Sequence, residues 1–593
     1  MWKMPQATVK IQDKIKQVTY STGQTVLDIL KAEHIFIDAP CNGTGKCGKC
    51  KVKFFGEDIP LTAEEKEYNL GEYRLACMLK PSKDFTVEVS QIKSGEGFVT
   101  ADFDFTKLST PAIKKILKRV YAPTAIENKT WTEKYENAFG ELDFEILQNI
   151  KPIEGNYLGI FIDDKLVAIV DEHDDDCYAI AVDIGTTTII ATLFDVNKKL
   201  LLNTKQCINP QIKFGADVVT RISAAIEDDA NILKMQHSVI SAIQDAVDKM
   251  IYETKINANA IYEIVFSANS VMNHLLLGIN PKSLGIAPYK NMFDRLMSFP
   301  SAKLNLKIGT HTQALILPSI SSYIGADIVS GINFIEIENA KRNTLFIDIG
   351  TNTELVLKHE DKFFATSCAA GSALEGMNIS CGSRAQNGAV EDITFDNKTG
   401  EIHLKVIGDT AAKTICGSGI LALVREALHT KLIDKRGRLV AYNNVCDDDV
   451  RKKFLVNVNG ETFIKVANDI LVSKKDIRNV QLSKTAILSG IQILLYKFNL
   501  KADELDEIII AGQFGNHLTR DMLLDTGFLP PVCAYKITYA KNTSLGGAIA
   551  SVFDISKRNN LMPLKNKIEF SDLSLNPEYQ KFFIESSYFP EYL

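Results

Sequence analysis

AIAVDIGTTTIIATLFD (179–195) is the stretch that decides the fold. It reads as a buried strand, a tight Asp-Ile-Gly-Thr turn and a second strand. The same design returns as TLFIDIGTNTELVLKHE (344–360), which sets the turn aspartates Asp183 and Asp348 165 residues apart. One Asp-x-Gly turn is a common structural device. Two copies at this separation point to duplicated α/β halves that face each other.

The chemistry of the two turns suits nucleotide phosphates. Gly185 and Gly350 let the backbone approach a phosphate, and the N–H groups and side chains of Thr186, Thr187, Thr351, Asn352 and Thr353 can donate to its oxygens. Asp183 and Asp348 are candidates to hold Mg2+ through its waters. Glu354, six residues beyond Asp348, is a candidate to orient an attacking water. Asp327 in GADI is either a second-lobe acid near the terminal phosphate or a helix N-cap. Asp217 and Arg221 sit four apart and can pair on one helix face. His274, on an apolar helix, reads as a core histidine. Further on, CAAGSALEGMNISCGSRA (368–385, with Gly371), ICGSGILALVREAL (415–428) and IIIAGQFGNHL (508–518) each lead small residues into a helix. A nucleotide can lie against such a helix N-terminus, although close packing uses glycine equally well.

The front of the chain carries CNGTGKCGKC (41–50) and, later, RLAC (74–77), a spacing of C-x5-C-x2-C-x26-C. Iron–sulfur clusters need thiolates converging on a small volume, and Gly43, Gly45 and Gly48 permit the bend. Zinc ribbons usually present two C-x2-C knuckles, and only one is present here. Around the loop, ATVKIQ and KQVTYS read as a hairpin, GQTVLDILKAEHI as a helix, KVKFF as a strand, Thr62–Glu65 as a capping box, and FTVEVS as the closing strand. Together they make a compact α+β unit, residues 1–93.

The 593 residues exceed what one core can hold. Residues 94–111 read as a linker, either flexible and reaching roughly 20–25 Å or bound as a strap along the next domain. A small middle domain (112–175) follows, with PAIKKILKRVYA and TWTEKYENAFGELDFEILQNI as helices and YLGIFIDDKLVAIVD as a hairpin turning at Asp163-Asp164. The duplicated halves occupy 176–560, and 561–593 form a tail packing on them. A net charge of −6 gives no global basic field, so nucleic acid is not indicated. No run of eighteen apolar residues marks a membrane span, and the opening lacks the apolar core of a signal peptide. Eleven cysteines in so long a chain suggest a reducing cytoplasm, with thiols free or bound to metal. The seven outside the front unit form no C-x2-C pair.

The cysteine loop with RLAC resembles plant- or adrenodoxin-type ferredoxins. That implies a β-grasp fold and a 2Fe–2S cluster on Cys41, Cys47, Cys50 and Cys77, at roughly −400 mV for plant-type clusters. The glycine segments, in their order, resemble the actin, sugar kinase and heat-shock-chaperone ATPases. This implies two lobes with ATP between them, and Gly417, Gly419, Gly512 and Gly515 on the adenosine side. NPQIKFGADVVTRI (209–222), ANSVMNHLLLGINP (268–281), LPSISSYIGADIVSGI (317–332) and DIRNVQLSKTAILSGI (476–491), behind a ferredoxin, closely resemble the reductive activators of corrinoid proteins. Ser372 stands where that pattern has proline, and VSKKDI replaces a Thr-Gln before Asp476. The resemblance implies ATP-dependent transfer of one electron from the cluster to a Co(II) corrinoid of a methyltransferase or O-demethylase system, restoring Co(I). It also implies a cellular low-potential donor and a homodimer. Two other classes fit parts of the chain: a small-molecule kinase with a regulatory ferredoxin, and an ATP-driven chaperone whose cluster senses oxygen.

Overall fold

The computed structural model describes residues 5–11, 14–33, 35, 37, 45, 50–66, 68, 70–89, 110–467, 469–512 and 518–591. The expected linker, apart from residues 110–111, lies outside the described residues, as do Cys41, Cys47 and Gly515.

The front unit is a five-stranded sheet of β1 (Gln6–Ile11), β2 (Lys14–Thr19), β3 (Lys51–Phe55), β4 (Arg74–Leu75) and β5 (Phe85–Val89), in the order β2-β1-β5-β3-β4. FTVEVS, the last strand of this sheet in chain order, completes it. It enters the middle as β5, parallel to β1 and antiparallel to β3. Its Phe85, Val87 and Val89 are buried while Thr86 and Glu88 point away, as a half-covered strand requires. Helix α1 (Val26–Ala32) lays Val26, Leu27, Ile29 and Leu30 on the sheet, and Asp28 and Thr25 cap each other at its start. The Thr62–Glu65 capping box opens α2 (Ala63–Lys66), and Glu65 also accepts from Arg74.

PAIKKILKRVYA is not a helix. Its core is β6 (Ile113–Val120), paired antiparallel along its whole length with β7 (Gly155–Ile162), which pairs in turn with β8 (Lys165–Asp171). The apolar residues 113, 116, 117 and 120 carry helical spacing, yet Ile116 and Leu117 are exposed. Pairing with β7 outweighs the local pattern, and the strand's lysines suit a sheet edge. Asp163 and Asp164 make the hairpin turn with left-handed φ of 51° and 62°. One face of this sheet packs with Tyr135 and Phe139 of α3 (Trp131–Phe139) and with α4 (Phe144–Leu147). The other face, with Ile113, Ile160 and Ala168, shares a core with the next sheet, so residues 112–175 are built onto the first lobe.

The two lobes repeat one topology. In the first, β9 (Tyr178–Ile184), β10 (Thr188–Asp195) and β11 (Leu200–Ile208) form an antiparallel meander. On its other side β9 takes β12 (Ile261–Ala268) and then β14 (Gln313–Ile316) in parallel. In the second, β15 (Asn343–Ile349), β16 (Thr353–His359) and β17 (Lys362–Cys368) repeat the meander, with β24 (Glu507–Ala511) and β25 (Ile537–Tyr539) parallel beyond β15. Antiparallel β13 (Met297–Pro300) finishes the first sheet, and β26 (Ile568–Phe570), parallel to β17, finishes the second. Helices α5 (Val218–Glu227), α6 (Ala230–Thr254), α7 (Ser270–Leu276) and α8 (Lys282–Gly285) belong to the first lobe. The second holds the small sheets β18 (Ala389–Phe395), β19 (Ile402–Val406), β20 (Thr414–Ile415) and β21 (Leu455–Val458), β22 (Glu461–Ala467), β23 (Ile470–Val472), with helices α10 (Gly417–His429), α11 (Lys474–Lys497) and α12 (Arg520–Asp525).

Helix α9 (Ala326–Phe334) packs with α13 (Thr543–Phe553) against β12 of the first lobe, although α13 follows β25 of the second. The chain therefore crosses between lobes on either side of the second sheet. α14 (Ile555–Lys567) carries buried Arg558, which donates 2.8–2.9 Å bonds to buried Glu263 and a 2.6 Å bond to Asp163. That ion pair ties the β7–β8 turn to the first sheet. In the tail, β26 joins β17 and α15 (Tyr579–Glu585) packs on α11. Buried Lys484 of α11 donates to the carbonyls of Ser586 and Tyr588. No helix among the described residues is long and apolar enough to cross a membrane.

Candidate functional site

The two Asp-Ile-Gly-Thr turns come together in the cleft between the lobes. Asp348 and Glu354 are direct cross-strand partners of β15 and β16, so both side chains leave one face of the sheet. Asp183 reaches the same region from β9, and Asp327 from the second residue of α9. Asp327 is not the N-cap, which is Gly325; its helix lies between the lobes, with Ala326 and Val329 in a core shared with the first sheet and Ile328 and Ile332 in one shared with the second. All four carboxyls are half-buried. Burial, reinforced by Asp183, pushes Asp348 up to about 7. Burial, then Asp348 and Asp183, pushes Asp327 up to about 7. Burial, with Asp327 and Asp348, holds Glu354 well above the usual carboxylate range, against a 3.2 Å bond from Ser367 Oγ. Burial raises Asp183 as well, opposed by its two hydrogen-bond donors.

Those donors are residues the sequence reading missed. Asn542 Nδ2 donates to Asp183 Oδ2 at 2.8 Å, and Ser544 Oγ donates to Oδ1 at 2.7 Å. Asn542 is also the N-cap of α13. Because Ser544 gives its proton to Asp183, it accepts from Ser267 Oγ at 2.9 Å, which lies 3.0 Å from Ser330 of α9. The signal was visible as Asn-Thr-Ser before a small-residue helix, but nothing local tied it to a carboxylate 359 residues away.

Arg221 does not pair with Asp217 on a helix face. Asp217 caps α5, and Arg221 turns inward, fully buried. It donates to the carbonyls of Gly215 and Thr186, and so braces the first turn from behind. Burial lowers it to about 9, with the Asp217 charge acting in the opposite sense. Asn209 Nδ2 holds the Gly185 carbonyl at 2.9 Å and Asn269 Nδ2 the Thr186 hydroxyl at 3.2 Å. In the second turn, the Thr351 hydroxyl donates to Glu375, and the Gly371 N–H donates to the Thr351 carbonyl at 2.9 Å. Asn352 is exposed. Thr353, by contrast, lies on the opposite face from Glu354 and is fully buried, so its hydroxyl does not face the cleft. Thr186, Thr187, Gly185 and Gly350 stay half-buried at the turns.

Gly512 ends β24 with φ of +92°, and a Cβ there would lie 2.6 Å from Asp348 Oδ1. It brings the back strand directly against the aspartate. Gly417 sits at the α10 N-terminus, beside a narrow crevice lined with Glu375, Ser418 and Leu518. Gly419 is buried, and a Cβ there would lie 2.1 Å from the Val390 carbonyl, so its task is close packing. His274 is the core histidine its surroundings suggest: Nδ1 bonds the Ser270 carbonyl at 2.7 Å, Nε2 accepts from Met292 N–H, and burial lowers its pKa. The departure at VSKKDI keeps its function in the fold, because Ser473 caps α11 and Asp476 holds Ser380.

Of the cluster candidates, Cys50 and Cys77 are described. Both are buried, with Sγ atoms 3.3 Å apart and the Cys77 N–H aimed at Cys50 Sγ at 3.5 Å. Two thiols this close, with a backbone donor on the sulfur, suit a shared iron. Among the described residues, no three acidic, histidine or cysteine side chains converge closely enough to ligate a metal directly. The front unit meets the second lobe at the start of α11, where Lys475 Nζ lies 5.9 Å from the Tyr68 ring centroid.

Comparison with known proteins agrees with this construction. Residues 342–592 match the family described as the C-terminal domain of RACo, the ASKHA domain; 178–340 match the RACo middle region; and 9–82 match the 2Fe-2S iron-sulfur cluster binding domain. The corrinoid activation enzyme RamQ of Eubacterium limosum is 29% identical over 538 residues, 87% of this chain and 88% of its own. The [Co(II) methylated amine-specific corrinoid protein] reductase of Methanosarcina barkeri is 23% identical, over 67% of this chain and 74% of its own. The solved structure of a reductive activator for corrinoid,iron-sulfur protein is 25% identical and superposes with a TM-score of 0.72, over 99% of this chain and 98% of its own.

Proposed function

This chain belongs to the RACo-like reductive activators of corrinoid proteins, a ferredoxin domain joined to an ASKHA-type ATPase, and from that premise we propose how its residues do the work. It uses ATP to reduce the cobalt of a corrinoid protein serving a methyltransferase system, from Co(II) to Co(I). The observation that carries the ATP half is the set of four half-buried carboxyls, none in an ion pair among the described residues, with Asp348 and Glu354 opposed across one strand pair. Like charges so placed repel unless a cation joins them. A hydrated Mg2+ carrying the nucleotide phosphates suits that excess, since magnesium usually keeps several waters.

In this reading Asp183 and Asp348 hold the ion's waters from opposite lobes, and the turn N–H groups at Gly185–Thr187 and Gly350–Asn352 bind the phosphates. Glu354 orients the attacking water and Asp327 accepts its proton. Gly371, Gly417 and Gly512 line the nucleotide from the second lobe, with Gly515 beyond the described residues. The 2Fe–2S cluster, when held by Cys41, Cys47, Cys50 and Cys77, supplies a one-electron carrier filled by a cellular low-potential donor. Each 59 mV of shortfall in a one-electron step costs about 1.4 kcal/mol. The lobes meet that cost through their differential affinity for states of the partner, which nucleotide binding changes.

The test runs two variants side by side with the Co(II) corrinoid protein and a low-potential reductant. Asp348→Asn should lose Co(I) formation while keeping the visible spectrum of the cluster. Cys50→Ser should lose Co(I) formation while keeping ATP hydrolysis. Co(I) formation at the wild-type rate in either variant overturns the assignment it removes.

A further inference from the structure

The first lobe carries a face that, among the described residues, meets neither the carboxyl cleft nor the front unit. It contains a groove of about 400 Å³ lined by Lys282, Ser283, Ile286, Pro288 and Met292, in and just after α8. Ile286 is 46% and Met292 65% exposed. Helix α5 extends the apolar surface. A Cβ on Gly285 would lie 2.6 Å from Ile222, and Val219 and Ile226 fall on the same stripe of α5, 67% and 42% exposed. Contiguous exposed apolar surface of this kind marks an interaction site.

Its charge selects the occupant. Lys282, Lys290 and Arg295 are exposed around the groove, and none makes an ion pair among the described residues. Of the nearby acids, Asp294 is engaged by Lys565 at 2.5 Å, and Asp229 accepts from the groove residue Asn280 at 3.4 Å, which leaves the three cations in excess over the one remaining carboxylate. The face is also wired to the catalytic cleft. Ser322 Oγ donates to the Tyr289 carbonyl at 2.6 Å and Asn291 Nδ2 donates to Ser319 Oγ at 3.1 Å, which binds the groove loop to the segment leading into Asp327. The Tyr289 ring lies 5.7 Å from Tyr323, which stacks at 5.8 Å on Phe570 of the second lobe. A partner seated here touches the seam whose geometry nucleotide must change.

We propose that this face, formed by α5, α8 and the loop from Ile286 to Arg295, docks the corrinoid protein through an acidic segment with an apolar tip. The assignment rests on the function proposed above. A permanent contact between two copies would hold the seam fixed, whereas a partner that must be bound and released belongs where the lobes meet.

The test compares the wild type with Lys282→Glu/Lys290→Glu, using as probe the Co(II) corrinoid protein of the same organism's methyltransferase system. The double variant should bind the probe about tenfold more weakly at low salt, with a smaller deficit at high salt. Its cluster spectrum and its ATP hydrolysis without partner should match the wild type. A photo-cross-linking residue at position 292 should trap the corrinoid protein, while one at position 252, on the exposed surface of α6, should not. If the wild type reduces the probe and the double variant binds and reduces it equally well, the docking site is overturned and the function stands. If the wild type reduces no corrinoid protein, both fall together. If the double variant alters self-association and leaves the probe's affinity unchanged, the face is a contact between copies and the proposal is overturned.

Discussion

Asp348 illustrates why the cleft carboxyls are unusual. Its pKa of about 7 in the folded chain lies above the ordinary aspartate value near 3.9. A carboxyl raised by folding keeps its proton between those values, so its contribution to stability is intact below pH 4 and is lost as pH rises toward 7. Asp348→Asn removes that cost. Without nucleotide, the variant should be more stable than the wild type by about 1–3 kcal/mol at pH 8, the range being discounted for cleft water, and equal to it near pH 4. Urea unfolding at the two pH values checks this; a variant less stable at pH 8 contradicts it. Asn542 and Ser544 pose a second question. Removing both donors with Asn542→Ala/Ser544→Ala leaves Asp183 half-buried without its hydrogen bonds, so its pKa should climb further. The expected result is a weaker Mg2+ requirement curve, with half-saturation moved up about tenfold and the pH profile of ATP hydrolysis shifted alkaline. An unshifted profile would make these residues merely structural.

At the scale of elements, the buried Arg558–Glu263 pair is the joint between the β6–β8 sheet, the first lobe and α14. Breaking it by Arg558→Ala leaves Glu263 buried and unpaired, a loss of about 3–5 kcal/mol, whereas Arg558→Met with Glu263→Leu should recover most of it. Thermal unfolding of the three chains decides the matter; equal losses in the single and double variants contradict the joint. The contrast between elements also shows what sequence can carry. Both Asp-Ile-Gly-Thr hairpins were legible as elements because strand period and turn residues agree within seventeen residues. β6 was not, since residues 113, 116, 117 and 120 are spaced as on a helix and only the partner strand overrides them. Arg221 was misread for the same reason. Four-residue spacing from Asp217 suggested a pair on one helix face, while its partners include backbone carbonyls brought in by the fold. The Asn542-Thr543-Ser544 signal could not be assigned, because its target Asp183 lies 359 residues away in the chain. The cysteine spacing was legible at once, since thiolates at fixed offsets have few uses.

At the scale of the molecule, the shared topology of the two sheets explains how one chain can move charge in response to a nucleotide. Each lobe brings one Asp-Ile-Gly-Thr turn to the cleft, and Ser544 of α13 joins Asp183 to Ser267 and, through it, to Ser330 of α9. The front unit meets the second lobe at α11, and the cationic face lies on the first, so a change in the lobes' relative position would bear on both. Removing Mg2+ with a chelator should therefore stop cobalt reduction and leave the oxidised cluster spectrum unchanged. The most direct measurement is a single turnover under anaerobic conditions. The protein is reduced in advance by one electron, freed of reductant, and mixed with the Co(II) corrinoid protein with or without ATP and Mg2+, while the Co(I) absorption and cluster bleaching are followed together. The account predicts Co(I) appearing only with ATP, in step with reoxidation of the cluster. Equal Co(I) formation without ATP, or ATP hydrolysis with the cobalt unchanged, would contradict it.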